Sequence, residues 1–439
     1  MSKRFYVATM GCRTNQADSA SMRQDFLDEK FEETQRLSQA DVIVVNSCTV
    51  THRSDQQVRQ LTRRVRRANP KARLIVTGCY AQRSPRVLAE IPGVDAVVGN
   101  SHKSKIVQIA TSKKGLSLES FGYRQIADIH RENFDKVVSF QMSSAAQTGG
   151  RTRPFVKIQE GCDAKCSYCI IPSVRGPSRS APPEQVLGQV NELVVAGFKE
   201  VVLTGIHIGT YGMHLCPRYP LDRLIREIVA VPGLERVRLS SIEPMQLSRR
   251  ITKLAKECPK IAPHFHICLQ SGSNEVLKRM LRPYSRERFA EIIEEIHEWL
   301  PHAAIGTDII VGFPGETEKD HLQTIEFVRK MPFSYLHVFP YSDRQGTPAS
   351  RMKGKVSPRN INLRSQALRN LSEQKNQAFR SKFIGAQLSV VTLAEQRGGM
   401  RTALSGNYLK VKLNRSMSPN TIITGIVERE DQEGYLIIR

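Results

Sequence analysis

The stretch Gly161-Cys162-Asp163-Ala164-Lys165-Cys166-Ser167-Tyr168-Cys169 sets three thiols at Cys-x3-Cys-x2-Cys spacing, directly after the apolar run Phe155-Val156-Lys157-Ile158. Three thiolates on one loop can ligate three irons of a [4Fe–4S] cube and leave the fourth iron open to a small molecule. A zinc knuckle or a ferredoxin-like centre is the competing use of such thiols. Zinc asks for a fourth Cys or His close by, and the next cysteine is the distant Cys216. The spacing, with the aromatic Tyr168 before the last thiol, favours the open cube.

Three more cysteines each end an apolar run. Phe5 to Met10 leads into Gly11-Cys12, Val42 to Val45 into Asn46-Ser47-Cys48, and Leu74 to Val76 into Thr77-Gly78-Cys79. Helix-like stretches at Ser19–Glu29 and Ser54–Ala68 lie between them. Strands alternating with helices predict a parallel sheet covered on both faces, and ligands gather beyond the carboxyl ends of such strands. Cys12, Cys48 and Cys79 therefore converge, as a second iron–sulfur cluster with three thiolates requires. Three separately buried cysteines are the plainer alternative. Cys216, Cys258 and Cys268 show no ligand spacing and read as structural.

The positioning elements follow from pattern. Ser54-x-x-Gln57 reads as a capping box, after which Val58, Leu61 and Val65 form one helix face and Arg59, Arg63, Arg66 and Arg67 another. That arginine face is either simply solvated or a phosphate-contacting surface. Gln141 to Arg151 is small and polar, an interdomain linker. Beyond it, strands are expected at Phe155–Ile158, Val201–Leu203, Val237–Leu239, His266–Leu269, Thr307–Val311 and Leu336–Phe339, with helices such as Pro183–Ala196 and Arg286–Leu300 between them. Six such units make an incomplete (βα) barrel with chemistry at the strand ends. Thr204-Gly205, Ser240-Ser241-Ile242-Glu243, Gln270-Ser271-Gly272-Ser273 and Gly312-Phe313-Pro314-Gly315-Glu316 stand at those ends. Each alone could be an ordinary turn; their recurrence suggests donors and acceptors for a ligand.

The tail is β-rich, with runs at Leu388–Leu393, Tyr408–Leu413, Ile422–Glu428 and Tyr435–Ile438 separated by Gly, Ser, Asn and Pro. It predicts a small β-barrel. In Tyr408-Leu409-Lys410-Val411-Lys412-Leu413 the alternation predicts one buried and one basic face, either an RNA-binding surface or a structural cap. Across all 439 residues, 65 Lys and Arg against 42 Asp and Glu give a formal charge of +23, which points to a polyanionic partner. Nine cysteines fit a reducing cytosol better than a disulfide scaffold. No apolar run approaches the ~20 residues that span a bilayer. Neither a Walker A sequence nor a strand-linked Gly-x-Gly-x-x-Gly is present, which disfavours nucleotide hydrolysis and a Rossmann site.

Together these motifs resemble the methylthiotransferase family of radical S-adenosylmethionine (SAM) enzymes. The resemblance rests on Gly11-Cys12-Arg13-Thr14-Asn15-Gln16, Asn46-Ser47-Cys48-Thr49-Val50-Thr51, Thr77-Gly78-Cys79-Tyr80-Ala81-Gln82, the Cys162/Cys166/Cys169 triplet, Leu269-Gln270-Ser271-Gly272-Ser273 and Gly312-Phe313-Pro314-Gly315-Glu316-Thr317. It implies two [4Fe–4S] clusters. One, on Cys162, Cys166 and Cys169, would cleave SAM to a 5′-deoxyadenosyl radical; the other, on Cys12, Cys48 and Cys79, would carry the sulfur to be inserted. A second SAM would methylate that sulfur. The resemblance further implies cofactor contacts from Tyr168, Thr204, Ser240, Ser241, Glu243, Gln270 and Asp308. Many radical-SAM proteins read Gly-Gly-Glu after the second barrel strand, whereas this chain has Leu203-Thr204-Gly205-Ile206.

The expected architecture is α/β. Residues 1–112 would form a parallel α/β domain for the auxiliary cluster, 145–374 the incomplete (βα)6 radical-SAM core, and 375–439 a TRAM-like RNA-binding barrel. The setting of Cys48 is most similar to the threonylcarbamoyladenosine type, which commonly has Thr where Ser47 stands. The expected function is a cytoplasmic tRNA methylthiotransferase acting at carbon two of threonylcarbamoyladenosine, with an external electron donor and sulfur source and no membrane. Isopentenyladenosine in tRNA and a ribosomal-protein aspartate are the alternative substrates. A non-enzymatic iron–sulfur RNA-binding protein is the alternative of another class.

Overall fold

A computed structural model describes residues 2–112, 127–134, 140, 151–414 and 417–439 of the chain. Of the expected linker, Gln141 to Arg151, residues 141–150 lie outside them. The chain forms two compact units, one of Met1–Gly149 with Gln159–Ala164 and Ile170–Ala181, the other of Gly150–Ile158, Lys165–Cys169 and Pro182–Arg439.

The first unit is built on strands β1 (Arg4–Thr9), β2 (Glu32–Glu33), β3 (Val42–Ser47), β4 (Arg73–Gly78), β5 (Ala96–Val98) and β6 (Asp128–His130), in the order β2-β1-β3-β4-β5-β6 and all parallel. Helices α1 (Arg13–Asp28), α2 (His52–Ala68), the short α3 (Cys79–Arg83) and α4 (Pro85–Ala89), and α5 (Ile106–Thr111) complete it. Alternate strand residues feed two apolar layers. Ile43, Val45, Leu74 and Val76 pack with Val58 and Val65 of α2, while Phe5, Val44 and Ile75 pack with Met22 and Phe26 of α1. Burial on both faces is why β3 and β4 read as continuous apolar runs. Helix α2 starts earlier than the expected capping box, because Thr51 accepts the bond from the Ser54 backbone N–H at 3.1 Å.

In the second unit, β7 (Phe155–Lys157) joins a set of βα repeats, whereas β8 (Gln159–Glu160), α6 (Ile171–Arg175) and β9 (Arg179–Ser180) belong to the first unit. The repeats continue through α7 (Pro183–Val195), β10 (Glu200–Thr204), α8 (Leu221–Val229), β11 (Arg236–Leu239), α9 (Arg249–Glu257), β12 (His264–His266), α10 (Asn274–Arg279), α11 (Arg286–Trp299), β13 (Ala304–Val311), α12 (Glu318–Lys330) and β14 (Tyr335–Pro340). The parallel sheets β11-β10-β7 and β12-β13-β14 are bridged at Val237–Ile261 and Ile242–Ile267, giving a six-stranded open arc. Each helix turns an apolar stripe to the strands, as Leu221, Leu224, Ile225 and Ile228 of α8 do. The fourth strand lies earlier than expected. Beyond His266 only isolated bridges hold the chain, and Gln270 takes φ +70°, so the apolar run Ile267–Leu269 is buried without continuing the ladder.

Helix α13 (Pro358–Ser381) crosses the expected boundary at residue 375, and the tail strands begin beyond it. Strands β15 (Gln387–Arg397), β16 (Met400–Ser405), β17 (Lys410–Leu413), β18 (Ile422–Glu430) and β19 (Leu436–Ile438) close into a barrel in the order β15-β16-β17-β19-β18. Val390, Val411, Leu413, Val427 and Leu436 fill it. The expected basic face of β17 is only half present. Lys410 is exposed, but Lys412 is buried and paired at 2.7 Å with both Asp431 and Glu433. No helix among the described residues is long and apolar enough to cross a membrane.

Candidate active site

In the first unit the three cysteine-bearing strand ends are neighbours. Thr9 is in register with Asn46, and Asn46 with Thr77, so Cys12, Cys48 and Cys79 leave the same edge of β1, β3 and β4. Cys12 is the residue immediately before α1, Cys79 starts α3, and Cys48 follows β3 directly. Cys48 and Cys79 are buried and Cys12 is exposed. Burial pushes the Cys48 thiol up to about 12, with further contributions from Cys79 and, less, from Cys12. Gly11 has φ +99°, and a Cβ there would stand 2.6 Å from Cys48 Cβ and 3.0 Å from its Sγ. Glycine alone leaves room beside the thiol.

Polar side chains fix these ends. Asn15, fully buried, donates to the Met10 and Ser47 carbonyls at 2.8 and 2.9 Å, stapling the exit of β1 to that of β3. Asn46 returns a bond to the Asn15 carbonyl at 2.8 Å. Cys79 Sγ accepts from Arg175 Nε at 3.4 Å and from Asn100 Nδ2 at 3.5 Å. The fully buried Arg175 also reaches Asp18 at 3.0 Å, Glu160 at 2.6 Å and Asn15 Oδ1. Burial alone would lower its guanidinium; Cys79, Asp18, Glu160 and Cys12 around it hold it above its ordinary value. Lys103 is paired with Asp18 at 2.5 Å. Helix α2 spends two of its four expected arginines internally: Arg59 donates to Tyr80 Oη, and Arg66 to Gly93, Pro70, Ala72 and Asp95. Arg63 and Arg67 stay exposed.

The Cys-x3-Cys-x2-Cys loop is shared. Cys162 belongs to the first unit, where its N–H donates to Gly176 O at 3.0 Å and its Sγ accepts from Ala164 N at 3.4 Å. Cys166 and Cys169 belong to the second. There Arg282 Nη1 donates to Cys166 Sγ at 3.1 Å, while the same guanidinium is ion-paired with Glu243 and bonded to Tyr284 Oη at 2.9 Å. Tyr168 packs edge-on against Phe313 of the Gly-Phe-Pro-Gly turn, with ring centroids 6.5 Å apart.

The other expected contacts also lie in the second unit. Thr204 is buried at the end of β10, its carbonyl accepting from Ile158 N. Ser240 is buried at the end of β11, and its hydroxyl has no hydrogen-bond partner among the described residues. Ser241 is half-buried, and Gln270 is buried and exchanges backbone bonds with Asp308 and Ile310. Asp308 is held by His266 Nε2 at 2.9 Å and His337 Nδ1 at 3.3 Å. Burial opposes ionisation, but the two imidazoles hold this carboxyl well below the usual carboxylate range. Both rings aim a nitrogen at one carboxylate oxygen. Cys268 donates to the same carboxylate at 3.6 Å. Reading the sequence missed Arg175, Arg282, His266 and His337, since none recurs at a diagnostic spacing.

The donor sets suit iron–sulfur chemistry. Three converging thiols beside a glycine cradle, with the cationic Arg175 donating to one sulfur, match soft thiolate ligation of a cluster. The unpartnered Ser240 hydroxyl matches a polar ligand at the strand ends.

Residues 4–99 match the uncharacterized protein family UPF0004, and residues 156–328 the Radical SAM superfamily. The chain is 41% identical to the threonylcarbamoyladenosine tRNA methylthiotransferase MtaB of Aquifex aeolicus, over 92% of this chain and 95% of that protein. It is 39% identical to the protein of the same name from Bacillus subtilis, over 92% and 88%. It is 32% identical to the tRNA-2-methylthio-N(6)-dimethylallyladenosine synthase of Clostridium novyi, over 87% and 84%. Among solved structures, the radical S-adenosylmethionine methyltransferase TsrM of Kitasatospora setae aligns over 80% of this chain and 77% of its own with TM-score 0.56, a likeness of fold at 14% identity.

Proposed function

The chain belongs to the methylthiotransferases of the radical SAM superfamily, and from that premise we propose that it inserts a methylthio group at carbon two of threonylcarbamoyladenosine in tRNA. Membership of the superfamily brings SAM and a [4Fe–4S] cluster. The finer assignment is our reading: Cys162, Cys166 and Cys169 hold the cluster that meets SAM, and Cys12, Cys48 and Cys79 hold a second. The observation that carries it is the convergence of three thiols at the adjacent ends of β1, β3 and β4. A radical enzyme that only cleaved SAM would have no use for them; one that inserts sulfur needs a carrier.

When bound, the cluster on Cys162, Cys166 and Cys169 supplies one-electron reductive cleavage of SAM. The chain supplies position. Arg282 donates to Cys166 and orients its sulfur. Tyr168 and Phe313 offer an apolar wall, and Thr204, Ser240, Ser241, Glu243, Gln270 and Asp308 are the proposed contacts for the polar parts of SAM. Because Glu243 is engaged by Arg282, it reads as a contact that acts with that guanidinium. The charge of +23 and the exposed Arg63, Arg67 and Lys410 suit a nucleic acid. We take residues 1–112, 145–374 and 375–439 as the auxiliary-cluster domain, the radical core and a TRAM-like RNA-binding domain, working in the cytoplasm with an external electron donor and sulfur source.

The test is mass spectrometry of tRNA nucleosides from a strain lacking the gene. The expected result is loss of the methylthio form of threonylcarbamoyladenosine and accumulation of its precursor. An unchanged methylthio form would overturn the proposal. A loss confined to isopentenyladenosine derivatives, or to a ribosomal-protein aspartate, would reassign the substrate.

A further inference from the structure

We propose that Arg175 is the positioning residue that tunes the strand-end thiols and ties them to the strand leading into Cys162. The inference rests on the reading that Cys12, Cys48 and Cys79 hold a cluster, and it concerns residues of the first unit alone. Arg175 ends α6, and its side chain has no exposure. Nε donates to Cys79 Sγ, Nη1 to the carboxylates of Asp18 and Glu160, and Nη2 to Asn15 Oδ1. One guanidinium therefore touches a thiol, the amide that staples β1 to β3, and the strand β8.

Two features separate this from an ordinary buried ion pair. First, Asp18 and Glu160 satisfy Nη1 and Asn15 accepts from Nη2, and the remaining buried donor, Nε, is given to a thiol sulfur and not to an oxygen. A cationic hydrogen bond to a ligand sulfur withdraws electron density from the metal and favours its reduced state. Second, Glu160 lies two residues before Cys162, and the turn that follows Arg175 holds that cysteine directly. Gly176 O accepts from Cys162 N at 3.0 Å, and a Cβ on Gly161 (φ +73°) would collide with Pro177 O. The run Arg175-Gly176-Pro177 thus contacts both the backbone at Cys162 and the sulfur of Cys79. Beside Cys79, the cations Arg175 and Lys103 face the anions Asp18 and Glu160. Removing one member shifts the field on the sulfur with a sign that can be stated in advance.

The experiment uses the full chain with Cys166→Ala and Cys169→Ala, reconstituted anaerobically with iron and sulfide, so that only the strand-end set can load. The readouts are iron per chain, the electron paramagnetic resonance signal of the reduced cluster and its midpoint potential. Arg175→Gln is expected to move the potential to more negative values, Asp18→Asn to more positive values, and Arg175→Lys to fall between Arg175→Gln and the parent. Loaded variants whose potential and signal equal the parent's overturn the proposal, because a merely structural hub would not move them in opposite senses. If Arg175→Gln does not fold, Asp18→Asn decides alone: a positive shift supports the proposal and no shift overturns it. A parent that takes up no iron in this background overturns the cluster reading itself, and the proposal with it.

Discussion

The two sets of three cysteines are assembled by opposite means. Cys162, Cys166 and Cys169 lie within eight residues on a single short loop, so their nearness is written in local spacing. Cys12, Cys48 and Cys79 are far apart along the chain and meet only because β1, β3 and β4 are adjacent and in register. The first arrangement depends on local backbone conformation. The second depends on a six-stranded sheet, and its geometry is shielded from changes in any one loop. Long-range placement costs more ordering but gives a stiffer frame.

That contrast can be broken most severely at the thiols. Cys48→Ala is expected to lower iron from about eight to about four per chain, to abolish methylthio product, and to leave 5′-deoxyadenosine formation from SAM in place. Cys166→Ala should abolish 5′-deoxyadenosine and product together. Iron and sulfide assays with chromatography of the nucleoside products read both, and a Cys48→Ala chain still holding the full iron content would contradict the two-site reading. Next in size are the glycines. Gly11→Ala forces a left-handed residue, costing about 1–2 kcal/mol, and drives a methyl against Cys48; it should unload the strand-end set only. Gly161→Ala meets a backbone carbonyl and should instead empty the loop set, as metal analysis of each variant would reveal.

Arg282→Lys sharpens the comparison on the loop side. It removes the fork shared by Cys166, Glu243 and Tyr284 and should slow SAM cleavage about 10–100-fold, with iron unchanged at the strand-end set. Equal rates in the variant and the parent would show that Arg282 has no part in positioning Cys166. The smallest effect touches only the scaffold of α1. Burial, and then Asp28, push the Asp25 carboxyl up to about 6. A raised folded value means that its stabilising contribution is present below the ordinary carboxylate range and is lost as pH rises through about 6. Asp25→Asn should therefore flatten the decline of melting temperature across that window, measured by calorimetry; an unaltered slope would show that Asp25 is not its source.

What could be read in advance follows the same division. The loop triplet is visible in nine consecutive residues, and the strand-end set is visible because each apolar run stops at a cysteine. The βα alternation and the closed tail barrel are likewise periodic signals. Errors fell where tertiary contacts outweigh local pattern. Thr51 displaced Ser54 as the cap because α2 begins at His52, well before its apolar stripe at Val58, so the N-cap falls three residues before Ser54. Lys412 looked solvent-facing by alternation, but Asp431 and Glu433 on a distant turn draw it in. Ile267 to Leu269 looked like strand because burial and strand pairing leave the same apolar mark. Arg175 and Arg282 were invisible for a different reason: in a chain with so many basic residues, nothing local distinguishes a buried guanidinium from a solvated one.

Asn15 carries one last consequence. Its amide closes the gap between the exits of β1 and β3 with backbone carbonyls as acceptors, a join beside the strand-end thiols made by protein atoms. Loss of the proposed strand-end cluster to oxygen would leave both of these bonds in place, so reloading would not require β1 and β3 to be rejoined.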